Sequence, residues 1–281
     1  MKIVVVGDAR EFATLAESWL ASDPFSTNVI GVQLSGVLGG TRVAGGEDIW
    51  IVATDRGGVV GAAMHTPPFN LFLPRLPGGV ASEIAKTLST AGRSLPGVNG
   101  EVDTVAEFVH AWTALRGVDS SLVRRTRMYR LGELTFPLGT AGEARTGESD
   151  ERDLVCEWFV RFRAEAAPDA PAVATAFVAR RLAAGEIWLW WAGGSPVALA
   201  ARSAPAGGVA RVGPVYTPPA HRRCGYGSAV TARATRAALD AGANEVVLYT
   251  DLANPTSNAI YQAIGYVPDH DAEERRFVAS A

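Results

Sequence analysis

The chain has 281 residues, 48% of them apolar and 20% charged, so it holds ample material for a core and is not a disordered polymer. At about 150 residues per domain, that length favours two domains over one. A formal net charge of -3 argues against a nucleic-acid-binding protein, which would normally show a basic stripe, and no nucleic-acid partner is expected.

The first predicted helix carries Phe12, Leu15, Ala16, Trp19 and Leu20 at helical spacing. Ile49–Asp55, a Gly57-Gly58 turn and Val59–Met64 then read as a β-hairpin. Asn70–Leu73 reads as a third strand. Pro74-Arg75-Leu76-Pro77-Gly78-Gly79 leads from it into a helix over Val80–Ala91. The stretch Phe136–Gly142 is short, poorly periodic and contains Pro and Gly, so the boundary is placed there, giving domains 1–137 and 138–281.

The second half repeats the plan. Leu154, Val155, Trp158, Phe159 and Phe162 recur at helical spacing, with Asp150 as the expected N-cap. Ile187–Ala192, a Gly193-Gly194 turn and Pro196–Ala200 form a second hairpin, and both hairpins run on into proline. The expectation is two similar α/β units with mixed α+β sheets. Val209–Thr217 follows as a third strand. After it come a basic, Gly-bearing loop, a helix from Ser228 to about Ala241, a strand over Glu245–Thr250 and a helix over Asn254–Ile264 closed by Gly265. Most of the set Trp158, Phe162, Trp188, Trp190 and Trp191 reads as core. Strand alternation puts Trp188 and Trp190 on one face and Trp191 on the other.

Cys156 and Cys224 make no disulfide framework, and His65, His110, His221 and His270 are scattered, so no metal site is expected. The apolar stretch before Asp8 is shorter than a secretory signal requires. The longest apolar run, Ile187–Ala201, is broken by Gly193, Gly194, Ser195 and Pro196. A cytoplasmic protein without a membrane partner is expected; the sequence carries no signal for an oligomeric state.

Chemistry concentrates between Val215 and Ser228. A strand ends, Pro218-Pro219 follows, and Arg222-Arg223-Cys224-Gly225-Tyr226-Gly227-Ser228 opens a helix. Helix N-termini present unpaired N–H groups and partial positive charge, and glycine lets the backbone approach an anion. Together with Arg222 and Arg223 this describes a phosphate or pyrophosphate cradle. It is not a Walker loop, which needs Lys-Ser/Thr after its last glycine, nor a dinucleotide fingerprint, whose first glycine stands at the strand end. The first half has no comparable Arg-Gly-Gly loop, so one anion site per chain is expected.

Arg222-x-x-Gly225-x-Gly227 resembles the acyl-CoA loop of the GNAT superfamily of N-acetyltransferases. Asn254-x-x-Ser257-Asn258-x-Ile260-Tyr261-x-x-x-Gly265-Tyr266 resembles that superfamily's second motif, in the expected order. The resemblance covers roughly 145–278, and the first half would be a degenerate tandem copy. It implies an N-acetyltransferase that moves the acetyl group of acetyl-CoA directly to an amine in a ternary complex, the acceptor being a small molecule or a peptide. It further implies that pantetheine lies along Val215, Tyr216 and Thr217. Pyrophosphate would lie on the N–H groups of Arg222, Arg223, Cys224, Gly225, Tyr226, Gly227 and Ser228, with Asn254 and Asn258 holding the cofactor arm or the strand end. Tyr261 would serve the leaving thiolate.

Two departures stand out. Arg223 replaces a frequent glycine, and Arg211-Val212-Gly213-Pro214-Val215 has no carboxylate where many members keep a base. Asp251 is the candidate base, with a strand-end or helix-capping role as its competing reading. The missing carboxylate also keeps open a non-catalytic acyl-CoA sensor. An interaction protein whose halves merely pack is the third alternative.

Overall fold

A computed structural model describes residues 1–168, 172 and 174–280. The chain forms two compact units, Met1–Thr126 with His270–Ala281, and Arg127–Asp269. The first half contains β1 (Lys2–Val6), α1 (Ala9–Ser22), α2 (Asn28–Leu38), β2 (Ile49–Asp55), β3 (Gly58–His65), β4 (Leu71–Leu73), α3 (Val80–Thr90), β5 (Gly97–Glu101), α4 (Val102–Arg116) and β6 (Val118–Leu131). The second half contains β7 (Glu143–Thr146), α5 (Arg152–Ala166), α6 (Thr175–Ala183), β8 (Ile187–Ala192), β9 (Ser195–Arg202), β10 (Val209–Tyr216), α7 (Tyr226–Asp240), β11 (Glu245–Asp251), α8 (Pro255–Ala263) and β12 (Tyr266–Ala279).

The two lists are the same order of strands and helices, so the repeat seen at the hairpins extends over ten elements. The pairing repeats as well. β1–β2, β2–β3 and β3–β4 are antiparallel and β4–β5 is parallel. Likewise β7–β8, β8–β9 and β9–β10 are antiparallel and β10–β11 is parallel. The α/β class with mixed sheets is as expected from sequence.

The last strand of each repeat is where the units depart from the expected division at 137/138. β5 is completed by the far end of the chain, with Ala272 opposite Glu101 and Arg276 opposite Gly97. β6 lies beside β11. The units therefore part inside β6, at Thr126/Arg127, and inside β12, at Asp269/His270. Phe136–Gly142 runs within the second unit, after Gly132 N–H donates to the Gly265 carbonyl and Thr135 N–H to that of Ile264.

Each unit buries apolar side chains on both sheet faces. In the first, Phe12 and Ile30 of α1 and α2 meet Trp50, Val52 and Met64 on one face, with Phe12 and Trp50 stacked at 5.0 Å. On the other, Ile84, Leu88, Phe108 and Trp112 of α3 and α4 cover Ile51, Leu71, Leu73 and Val98. In the second unit, Val155, Trp158 and Phe159 of α5 pack on Ile187, Leu189, Leu199 and Tyr216. The opposite face packs the alanines of α7 against Trp190, Val212 and Leu248. Trp188 joins this face and Trp191 the α5 face, as alternation requires. The start of α5 corrects one expectation. The cap is a box between Glu148 and Glu151 around a 3-10 turn over Ser149–Glu151, with Asp150 inside that turn. Arg145 then closes on Glu151 at 2.9 Å.

Candidate active site

β10 is the pivot of the second unit. It pairs with β11 only at Val209, Ala210 and Arg211, opposite Glu245, Val246 and Val247. Among the described residues the pairing stops there, although β10 continues to Tyr216 and β11 to Asp251. On its other edge β10 follows β9 through an irregularity between Val212 and Val215. The one extra residue on β10 makes a bulge, which bends a strand, just past the last pair with β11. A wedge thus opens between the strands, edged by the backbone of Val215, Tyr216 and Thr217. Pro214 contributes no N–H to that edge.

The wedge runs into the N-terminus of α7. A 3-10 turn over Pro219–His221 leads to Arg222, and Gly225 is the N-cap with φ +82°. Ala229 N–H reaches back to the Gly225 carbonyl at 3.1 Å, so the N–H groups of Tyr226, Gly227 and Ser228 precede the helical ladder and face out along the axis. A Cβ on Gly225 would stand 3.0 Å from the Thr140 hydroxyl in a backbone conformation that opposes it. Gly227 has an ordinary φ. Its requirement is steric, since a Cβ there would lie 3.3 Å from the Thr217 hydroxyl. Arg223 adopts φ +66°, the left-handed conformation that glycine takes without cost. Its substitution therefore keeps the loop's glycine-like backbone. Cys224 is exposed, its thiol against the Arg222 carbonyl at 3.5 Å.

Arg222 does not point freely at the helix end. Its Nε donates to the Thr217 carbonyl at 2.9 Å and an Nη donates to Glu165 at 2.6 Å. Glu165, in the last turn of α5, also accepts from the Tyr216 hydroxyl at 3.4 Å, and the Tyr216 ring lies tilted against Trp158 with centroids 6.1 Å apart. Sequence reading missed Glu165, because only the folding of α5 onto β10 brings it to the loop, and no local motif announces it.

On the far side of the wedge, α8 carries the second motif. Asn254 is the N-cap, its Oδ1 accepting from Ser257 N–H at 3.0 Å. The Asn258 amide donates to the carbonyls of Asp251 and Asn254 and accepts from the Tyr129 hydroxyl at 2.8 Å. Both asparagines thus fasten the end of β11 to α8. The Asp251 carboxylate accepts from Ala253 N–H at 2.7 Å and holds the turn between these elements. Tyr261 is buried between the rings of Tyr129 and Tyr266. Burial pushes its hydroxyl up to about 12, with a hydrogen bond to Ser257 opposing that rise, so it is a protonated phenol at any working pH.

The first unit holds the same helix entry in another state. Gly79 caps α3 with φ +89°, close to Gly225 on α7. Here, though, Glu107 of α4 occupies the N–H groups, accepting from Gly79 at 3.0 Å and Ser82 at 2.8 Å. Among the described residues no cluster of three or more His, Cys, Asp or Glu could hold a metal ion, and no helix is long and apolar enough to cross a membrane.

Residues 152–266 match the model of the acetyltransferase (GNAT) family. Solved structures resemble the chain over its length. A Drosophila protein of unstated activity aligns at TM-score 0.72 and 12% identity, covering 99% of each chain. A GNAT acetyltransferase from Colwellia psychrerythraea aligns at TM-score 0.60 and 14% identity, again over 99% of each. A tandem GNAT protein from the clavulanic acid biosynthesis pathway aligns at TM-score 0.56 and 14% identity, over 100% of this chain and 99% of that one. No curated protein matches in sequence.

Proposed function

We propose, from the match of residues 152–266 to the acetyltransferase (GNAT) family, that this chain is an acetyl-CoA-dependent N-acetyltransferase whose working site lies in the second unit. Acyl-CoA-dependent acetyl transfer is the general chemistry of that family. The finer reading is ours: direct transfer to an amine, in a ternary complex. The observation that carries it is the parting of β10 from β11 immediately before the Gly225-capped end of α7. A long, thin donor ending in a pyrophosphate fits that wedge and cradle. The free backbone edge at Val215–Thr217 would bind amide groups, and Arg222–Ser228 would hold the anion.

Arg222 then has two competing partners. Its pair with Glu165 is half exposed on both sides and is worth about 0–1 kcal/mol. A pyrophosphate at α7 offers a stronger, charge-assisted partner. Drawing Arg222 away would leave the Glu165 carboxylate free beside Tyr216, where it could accept a proton from the incoming amine. Glu165 thus joins Asp251 as a candidate base. Its reach is the wider of the two, because Asp251 is already engaged by its own turn.

The amine nitrogen bonds to the acyl carbon, the carbon–sulfur bond breaks and the thiolate leaves with its electron pair. Tyr261 supports that departure by hydrogen bonding. With a hydroxyl near 12 and a thiol near about 8.5, full proton transfer from the phenol to sulfur is uphill. The stabilisation therefore comes from the hydrogen bond as charge develops, not from complete transfer.

The test is thiol release from acetyl-CoA across a panel of small amines, amino acids and peptides, alongside calorimetric binding of acetyl-CoA. Binding with amine-dependent release supports the enzyme. Binding without release across the panel favours the sensor, which draws on the absence of a carboxylate on β10. Absence of binding favours the interaction protein.

A further inference from the structure

A second cluster of cations lies on the other end of α7, clear of the cradle. Arg233 and Arg236 of α7, Trp188 of β8 and Arg202 of β9 line a cleft of about 390 Å³, closed at one side by the turn Ala184–Gly185. Gly225 caps the start of the helix, and the cleft opens 8 to 16 residues further on, roughly 12–24 Å along the axis. Its three guanidinium groups face a single carboxylate, Asp240, and none of the three forms an ion pair among the described residues.

The unusual feature is the balance of donors. Trp188 Nε1 and Arg202 Nε are buried with no hydrogen-bond partner. Arg202 spends one Nη on the Ser203 carbonyl at 3.3 Å, and Arg233 lies over the Trp188 ring at 5.4 Å. Indole and guanidinium groups donate and cannot accept. Three guanidinium groups and an indole against one carboxylate leave donors in excess, two of them shielded from bulk water, so further acceptor atoms must be supplied from the cleft. Its net positive charge selects an anion, and the guanidinium fork selects flat or tetrahedral oxyanions. We propose that this cleft binds the phosphate or carboxylate of a small organic anion, distinct from any anion held at the start of α7. Arg202 and Arg236 would grip the oxygens, and Trp188 would donate its indole N–H.

The test follows the indole N–H resonances of the intact protein by nitrogen-15 correlation spectroscopy during titration with inorganic phosphate, and separately with phenyl phosphate and benzoate. Trp188→Phe identifies its signal among those of the seven tryptophans. A saturable shift of the Trp188 signal is expected with at least one probe. Arg236→Gln, on an exposed helical position, should keep the fold and weaken that probe about tenfold. Arg202→Gln should weaken it comparably. The shift should persist with acetyl-CoA present in excess, which separates it from binding at the Gly225 cradle. A Trp188 signal that does not move with any probe, or one that moves equally in both arginine variants, would overturn the proposal. Loss of the shift on adding acetyl-CoA would also overturn it, by assigning the anion to the cradle.

Discussion

Tyr261 and Arg223 show how single residues set the behaviour of the site. Tyr261 is packed as a core residue, yet its hydroxyl is the one feature a phenylalanine would lack. Tyr261→Phe keeps the ring between Tyr129 and Tyr266. It should lower turnover by about 10²–10³-fold, the loss of one preorganised donor, while acetyl-CoA affinity changes little. Steady-state kinetics with the true acceptor check this. Near-wild-type turnover would assign the thiolate's stabilisation to another group or to water. The proposed hydrogen bond also implies that no alkaline fall in rate below about 12 arises from this residue, since burial holds the proton on the phenol to that point. Arg223 makes a different point. The departure from glycine that put the loop's shape in question is accommodated at φ +66°, at a strain of roughly 1–2 kcal/mol that the loop retains.

The two helix entries separate the units at the scale of elements. α3 and α7 follow their strands in equivalent places and share a left-handed glycine cap, but among the described residues only α3 has its N–H groups taken by a carboxylate from the same unit. Burial pushes Glu107 up, but hydrogen bonds from Ser82, Gly79 and Ala81 outweigh it and hold the carboxyl below its ordinary range. The folded unit therefore binds this proton less tightly than the unfolded chain does. The stability Glu107 contributes is complete above the unfolded value and is lost as pH falls through the depressed one. Glu107→Gln should cost about 1 kcal/mol near neutral pH and little at pH low enough to protonate the wild-type carboxyl. Urea unfolding across that range checks it, and an equal loss at every pH would show that the charge is not what caps α3. The counterpart helices differ too. Seven residues past its N-cap, α8 has Tyr261 and α4 has Phe108, so the first unit lacks the hydroxyl as well as the open cradle.

These elements also show what a sequence can and cannot carry. The hairpins, α3, α7, β11 and α8 were legible because alternation, periodicity and cap glycines are local. The Arg222–Ser228 loop was legible for the same reason. α2 escaped notice, since Asn28–Leu38 is apolar nearly all round and interrupted by Gly31 and Gly36, which leaves no periodic stripe. The constraint on Gly227 was not legible, because a Cβ there would crowd the Thr217 hydroxyl, ten residues back, only once the loop has folded. Glu165 and Glu107 were invisible because each meets its partners only after a helix folds back, 57 residues from Arg222 and 28 from Gly79.

At the scale of the whole molecule, duplication is legible but its boundary is not. A strand's partner is a non-local choice, and nothing in Tyr266–Ala279 signals that its second part completes the sheet beside β5. The account makes one claim about the molecule that depends on every scale below it. Two copies of one plan are present, and the proposal is that only the second, whose strands part before its helix entry, takes an acyl-CoA. Calorimetric titration of the intact chain with acetyl-CoA, repeated on Gly225→Val, tests this most directly. The account predicts one site per chain, lost in the variant while its far-ultraviolet circular dichroism is retained. Two equivalent sites, or an affinity unchanged by the valine, would contradict it.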